Sequence, residues 1–186
     1  MITTPDGVID VNGRSGALGG PPDQARLRSL RAQATSVLVG AGTARTESYG
    51  PASKQGLQIA VITTSCALDF TSPLFASGCG IIATTVNAPA VPVHSIRAGT
   101  DIVDLSAIIE QLPPGMVQVE GGPRLNAALF DADLVDAINL TISPRIGGVR
   151  GASISEAPHA LRNFALTSVT TDSDFVFVRY ERIRSA

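Results

Sequence analysis

The sequence predicts an α/β domain whose sheet is mainly parallel and which ends in an antiparallel C-terminal hairpin. Three observations carry this reading. Short, continuous apolar runs recur between residues 36 and 119 without polar alternation, as strands covered on both faces require. Helical patterns separate several of these runs, so the connections are crossovers. After residue 134 the helices give way to strand-like runs, the last two joined by a short polar turn, which is the spacing of a hairpin.

Residues 1–20 are rich in Gly, Asp and Thr and read as the end of a strand followed by a long loop. Pro21 and Pro22 then open a helix, where a missing N–H is harmless. Leu27, Leu30 and Ala34 give that helix one apolar stripe, with Arg26, Arg28 and Arg31 distributed around it. Strands are expected at 36–39, 58–63, 80–84, 91–96 and 116–119, and helices near 43–48, 106–112 and 123–132. Strands at 135–143, 164–171 and 175–183 complete the chain, the last two joined through Thr171-Asp172-Ser173-Asp174. No repeat, low-complexity tract or linker divides the sequence, so one domain over residues 1–186 is expected.

Composition narrows the function. With 44% hydrophobic and 16% charged residues the chain is globular. A net charge of −2, no basic run and 4% aromatics provide no footprint for nucleic acid. No apolar run approaches the ~18–20 residues of a membrane span, and no basic-then-apolar leader is visible, so a cytoplasmic location is expected. Cys66 and Cys79 fit neither a disulfide framework nor a metal site, and His94 and His159 are isolated, so no metal is expected. His94 falls in a strand-like run and is read as packed or hydrogen-bonded. Gly-x-Ser-x-Gly is absent. With no metal and no nucleophile, the chemistry is expected to come from a bound cofactor.

Three strand ends are candidates for holding one. In Val37-Leu38-Val39-Gly40-Ala41-Gly42-Thr43-Ala44-Arg45 a buried strand runs into two glycines. Glycine there lets a ligand approach the backbone, and N–H groups at a helix start attract phosphate; a simple tight turn explains the motif equally well. It is not a Rossmann fingerprint, since Arg45 holds the third glycine position. In Val119-Glu120-Gly121-Gly122-Pro123-Arg124-Leu125 a second strand meets paired glycines and then a proline suited to a helix start. Two such turns could lie side by side at the carboxyl edge of the sheet, where ligands of open α/β folds bind. Glu120 between them is read as hydrogen-bonding a ligand hydroxyl or base, against the alternative of a solvated loop carboxylate. The third strand end, Val61-Ile62-Thr63-Thr64-Ser65, has hydroxyls suited to a ribose 2′-phosphate, or is simply a polar terminus.

Taken together and in order, these segments resemble the reductase domain of bacterial riboflavin biosynthesis, which shares its fold with dihydrofolate reductase. The resemblance runs through Thr4-Pro5-Asp6-Gly7, Gly13-Arg14-Ser15-Gly16, Leu30-Arg31-Ala32, and Gly40-Ala41-Gly42-Thr43 with Glu47 and Tyr49-Gly50-Pro51. It continues through Glu120-Gly121-Gly122-Pro123, Leu134-Val135-Asp136, and Leu140-Thr141-Ile142-Ser143-Pro144 with Gly147-Gly148. The wording is most similar to the actinobacterial stand-alone branch, in which no deaminase is fused to the reductase.

The resemblance implies a dihydrofolate-reductase-like three-layer sandwich and a homodimer. It also implies NADPH-dependent reduction of 5-amino-6-(5-phosphoribosylamino)uracil, by hydride transfer to the first carbon of the opened ribose. Such a step needs alignment more than a strong acid or base. Carried over by position, Gly40, Gly42 and Thr43 would bind the cofactor phosphates, with Glu47 nearby. Gly121, Gly122, Pro123, Arg124 and Leu125 would cradle the pyrophosphate from the other side. Thr64, with Ser65, would reach the 2′-phosphate. Ala17 stands at a nicotinamide-lining position where bulkier residues are often found. Ser15, Arg31 and Glu120 match substrate positions, Arg31 for the substrate phosphate and Glu120 for its polar edge; a solvated helix arginine is the alternative for Arg31. Asp6 and Glu120 are the candidate catalytic groups, Asp6 because its turn approaches nicotinamide and substrate.

Two departures bear on the substrate side. The family's first strand begins several residues before the Thr-Pro-Asp-Gly equivalent, whereas Met1-Ile2-Thr3 precedes it here, so either the start lies upstream or most of an inner strand is missing. Pro5 also replaces an aliphatic residue. Two other functions fit the same residues: a dihydrofolate-reductase-like reductase of another heterocycle, and a catalytically silent relative that binds NADPH.

Overall fold

The computed structural model describes residues 1–148, 152–156 and 160–184. Its elements are β1 (Ile2–Thr3), α1 (Pro21–Gln33), β2 (Ser36–Gly40), α2 (Ala41–Thr46), β3 (Gln58–Ile62), α3 (Pro73–Ala76) and β4 (Gly80–Thr84). They continue with β5 (Ser95–Arg97), α4 (Leu105–Gln111), β6 (Val117–Gly121), α5 (Pro123–Asp131), β7 (Ala137–Ile142), β8 (Phe164–Asp172) and β9 (Phe175–Arg182). Contacts divide the chain into two compact units, Met1–Arg28 with Asn126–Ala186, and Ser29–Leu125. The expected mixed α/β fold is present, a mainly parallel sheet with antiparallel strands at the C-terminal end, and its strands form two hydrogen-bonded ladders.

The Ser29–Leu125 unit holds a five-stranded parallel sheet in the order β5-β4-β3-β2-β6. Its centre is apolar, with Val37, Leu38, Val39, Ala60, Val61, Ile82 and Ala83 fully buried, and its buried polar residues come only at strand ends, as Ser36 and Thr84 do. That is the physical content of the continuous runs, because a central parallel strand has no solvent face for a polar residue. A core of Val37, Val39, Leu57, Ile59, Val61, Leu74, Phe75 and Ile82 lies against this sheet. The chain adds β3, β4 and β5 in succession outward from β2, then returns to place β6 on the other side of β2. The order therefore reverses at the β2–β6 pair. Open parallel sheets bind ligands at such a switch point, outside the carboxyl ends of the strands.

The other unit carries the order β1-β7-β9-β8, with β1 parallel to β7 and the remaining pairs antiparallel. Asp172 pairs with Phe175, so Ser173 and Asp174 form a two-residue hairpin loop, and Ser173 takes a positive φ of 54° as primed turns require. Ile2, Leu18, Phe175 and Phe177 make its small apolar core. β1 is two residues long and pairs Ile2 with Thr141 and Thr3 with Ile142.

Several boundaries differ from expectation for local reasons. The strand expected at 91–96 shrinks to Ser95–Arg97; Pro92 has no N–H for a ladder, so pairing begins beyond it. His94 consequently lies outside the strand and is exposed, not packed, although its backbone oxygen accepts from the Ile82 N–H at 3.0 Å. His159 lies outside the described residues. The helix expected at 43–48 occupies Ala41–Thr46, with Gly40 as its N-cap; Ser48 at φ 51° ends it early. The four-residue α3 is additional, with Pro73 following Ser72 at its start. α4 is capped by Asp104, which accepts from the Ala107 N–H at 3.1 Å.

Candidate functional site

The two glycine turns meet at the switch point. Val39 pairs with Gly121, and a Cβ built on Gly40 would lie 3.5 Å from the Gly121 oxygen and 3.8 Å from Leu125 Cβ. Leu125 is 6% exposed, so its side chain packs beneath the turns. Gly121 and Gly122 adopt φ of 87° and 71°, conformations L side chains reach only at a cost. A Cβ on Gly122 would lie 2.9 Å from Thr43 Oγ1, whereas one on Gly42 would meet nothing within 4 Å. The first turn of α2 therefore opens onto free space. Its cap, Gly40, has no side chain to accept from the leading N–H groups. Phosphate oxygens are the natural acceptors for such donors, so the residues present fit a dinucleotide.

The Thr64–Ser65 segment leaves β3 beside this turn, since Gly40 pairs with Ile62. Thr64 and Ser65 are exposed. The Thr63 hydroxyl accepts from the Cys66 N–H at 3.1 Å, and the Ser65 hydroxyl from the Ala67 N–H at 3.4 Å. Arg45 of α2 donates to the Ala67 oxygen at 3.2 Å, setting a cation against the segment expected to meet a 2′-phosphate. Glu47 closes α2 through its backbone N–H, which donates to the Thr43 oxygen at 2.9 Å. Pro123 and Arg124 begin α5, with Arg124 exposed.

Glu120 is neither a loop residue nor solvated. Leu38 pairs with Val119 and Val39 with Gly121, which leaves Glu120 as the extra residue of a bulge in β6. Bulges re-aim one side chain without ending the ladder, and parallel ones are rare. Arg31, in the last turn of α1, donates from Nε to Glu120 Oε1 at 2.6 Å and from Nη2 to Oε2 at 2.5 Å. The Tyr49 hydroxyl donates to Oε2 at 2.6 Å. The Glu120 side chain is 5% exposed and that of Arg31 25%. Arg31 also lies over the Tyr49 ring, 5.5 Å from its centre. The hydrogen bond to Glu120 raises the Arg31 pKa further. Burial, then the neighbouring carboxylate, hold the Tyr49 hydroxyl well above its usual ionisation range. Two of the three expected substrate groups, Arg31 and Glu120, thus exist as one fixed pair, and Tyr49 was absent from the expected site. Its only signal in the sequence was the Tyr-Gly-Pro fragment.

The other unit holds Asp6, Ser15 and Ala17. Asp6 accepts from the Gly147 N–H at 3.1 Å and the Gly148 N–H at 2.8 Å. These bonds explain why Thr4-Pro5-Asp6-Gly7 and Gly147-Gly148 both belong to the pattern. A Cβ on Gly147 would lie 2.7 Å from Val8 Cβ, so only glycine fits there. The Thr4 hydroxyl first, then the two glycine N–H groups, lower the Asp6 pKa to about 2. Asp6 is therefore an acceptor with no proton to give. A carboxylate depressed from 3.8 stabilises the turn fully above that pH and loses the effect as pH falls through about 2. The protection factors of the Gly147 and Gly148 amides, each taken against the intrinsic exchange rate at the same pH, should stay high at mild acidity and fall between those limits. In Asp6→Asn this acid step should disappear, and a step that persists there would assign it to another group. Ser15 accepts from the Leu18 N–H through its backbone oxygen at 2.8 Å, and Ala17 is exposed in the same loop.

Among the described residues no helix is long and apolar enough to cross a membrane, and no group of three His, Cys, Asp or Glu side chains is placed to hold a metal. Cys66 and Cys79 are free.

Residues 1–177 match the model of the RibD C-terminal domain. The 2,5-diamino-6-ribosylamino-4(3H)-pyrimidinone 5′-phosphate reductase of Methanothermobacter thermautotrophicus is 28% identical over 201 residues, covering 93% of this chain and 92% of its own. A pyrimidine reductase-like protein from Corynebacterium diphtheriae superposes with a TM-score of 0.85 at 24% identity, over 99% of this chain and 90% of that one. The deaminase/5-amino-6-(5-phosphoribosylamino)uracil reductase of Thermotoga maritima does so with a TM-score of 0.76 at 19% identity. This chain spans 55% of that longer protein and is itself covered over 98% of its length.

Proposed function

We propose, starting from the fact that the chain belongs to the RibD C-terminal domain family, that it reduces 5-amino-6-(5-phosphoribosylamino)uracil to the ribitylamino product with NADPH. The observation that carries the reading is the pairing of two glycine turns at the β2–β6 switch point, with Glu120 projected by a bulge between them. NADPH supplies the hydride when bound. The Gly40–Thr43 and Gly121–Leu125 segments hold its phosphates, Glu47 borders that site, and Thr64 and Ser65 take the 2′-phosphate.

The substrate's ribose opens to an imine, whose first carbon gains the hydride while its nitrogen gains a proton from water. No strong acid is needed for that, which agrees with an Asp6 that is ionised throughout the working pH range. Asp6 acts as an anion that orders its turn beside the nicotinamide, and Ala17 lines the same end of the cofactor. Glu120 takes the polar edge of the pyrimidine. Arg31, with Nε and Nη2 on Glu120, takes the substrate phosphate, and Ser15 is assigned to the substrate as well. The enzyme is assigned to the cytoplasm and to a homodimer. β8 supports the dimer, since Leu166 and Val169 are each 54% exposed on it; sedimentation at twice the 19.2 kDa chain mass checks this.

Loss of nicotinamide absorbance on adding the pyrimidine tests the function, with NADH in place of NADPH as the comparison. The name of the Methanothermobacter relative supports a second reading, in which the undeaminated 2,5-diamino pyrimidinone is the substrate. The two acceptors differ at one ring position, so assaying both side by side decides between them. Turnover of neither would overturn both readings.

A further inference from the structure

We propose that Tyr49 is the positioning residue for Glu120: it fixes the carboxylate that meets the pyrimidine and so sets the rate of reduction without binding the cofactor. The inference rests on the function proposed above. It starts from the backbone. α2 ends at Glu47, and Ser48 takes a left-handed φ of 51°, a conformation a non-glycine residue adopts only when its surroundings impose it. That reversal lets the Tyr49 N–H donate back to the Ala44 oxygen at 3.3 Å. It also turns the ring onto the apolar core of the five-stranded sheet.

From there the hydroxyl reaches Glu120 Oε2 at 2.6 Å. Arg31 grips both carboxylate oxygens, but it does so from a long flexible stem, so the ion pair alone could rock as a unit. A tyrosine has only two side-chain torsions and a ring held by packing, and its hydroxyl pins the carboxylate from a second direction. The same ring lies under the guanidinium, 5.5 Å from it, and steadies both partners. A carboxylate has about four acceptor positions. Arg31 and Tyr49 fill three, so one direction is left for a ligand donor. Because the hydroxyl resists ionisation, it remains a donor across the working range.

The chain has two tyrosines and no tryptophan, so in a Tyr180→Phe background Tyr49 is the only strongly emitting side chain. A hydrogen bond to a carboxylate quenches tyrosine emission. Adding Glu120→Gln to that background should raise the emission, and unchanged emission would overturn the Tyr49–Glu120 link. In otherwise native protein, Tyr49→Phe should lower kcat for the pyrimidine about tenfold or more, the scale of one hydrogen bond to a charged group. NADPH affinity should stay within about twofold, a change too small to signal a lost contact. A native kcat in Tyr49→Phe, or an NADPH affinity that falls in step with kcat, would overturn the positioning role. Native protein that turns over no pyrimidine would overturn the functional reading instead, while the emission test would still report on the link.

Discussion

Glu120→Ala should lose pyrimidine reduction by at least about a hundredfold and should also lower stability by roughly 3 kcal/mol. Both effects follow from one geometry. The carboxylate is the common acceptor for Arg31 and Tyr49, and its side chain is 5% exposed. Removing it leaves a mostly buried guanidinium without a counter-charge and a buried hydroxyl without an acceptor, which costs far more than the pair contributes net. For a chain of this length the loss corresponds to a fall in Tm of roughly 6–12 °C. Glu120→Gln keeps the volume, but its amide NH2 must face Arg31 or Tyr49 donors, so it should also lose activity. The double variant Arg31→Leu/Glu120→Leu separates the two roles. With both charges gone it should recover much of the lost Tm, because a buried ion pair can often be replaced by apolar side chains at little cost, yet it should remain inactive. Thermal unfolding together with steady-state kinetics reads all three variants. A double variant that regains activity along with its fold would remove Glu120 from the chemistry.

How much of this was legible in the sequence depended on how local the cause was. The cores of β2, β3 and β4 could be read because a strand buried on both faces admits only apolar side chains, and Val37-Leu38-Val39 and Ile81-Ile82 announce that. The hairpin was equally legible, its loop set by Ser173 and Asp174. The edge strand β5 was overestimated because apolarity at Val91 and Val93 spoke louder than the missing N–H of Pro92. α2 was placed two residues late, since a glycine N-cap lacks the side-chain oxygen that usually marks a helix start. Glu120 was found by type and neighbourhood, but the bulge that aims it was not, because register is a property of two strands. Tyr49 was missed for a related reason. Its partner is 71 residues away, and no local pattern records a hydrogen bond of that span. The closeness of the two glycine turns could be inferred only as a possibility until the order of β6 beside β2 was known.

The turns themselves make the last and most discriminating prediction, because of two glycine-to-alanine changes only one should lower stability while both weaken cofactor binding. At Gly122 the backbone is left-handed, φ 71°, which costs an alanine about 1 kcal/mol. Its Cβ would also press on Thr43 Oγ1 at 2.9 Å. The hydroxyl can rotate away, but doing so withdraws it from the phosphate it is proposed to hold. Gly122→Ala should therefore unfold at a lower temperature and bind NADPH about 30-fold or more weakly, the equivalent of roughly 2 kcal/mol. Gly42 lies within the first turns of α2 with nothing within 4 Å of its Cβ position. An alanine there gains up to about 1 kcal/mol of helix propensity, so the Tm of Gly42→Ala should hold or rise. Yet the same methyl enters the space proposed for the phosphates, and affinity should fall by a similar factor. A variant that is more stable and binds more weakly cannot be explained by damage to the fold. If Gly42→Ala binds NADPH as well as the native chain, the free space above α2 is not where the cofactor lies, and the phosphates must be held by the Gly121–Gly122 turn alone.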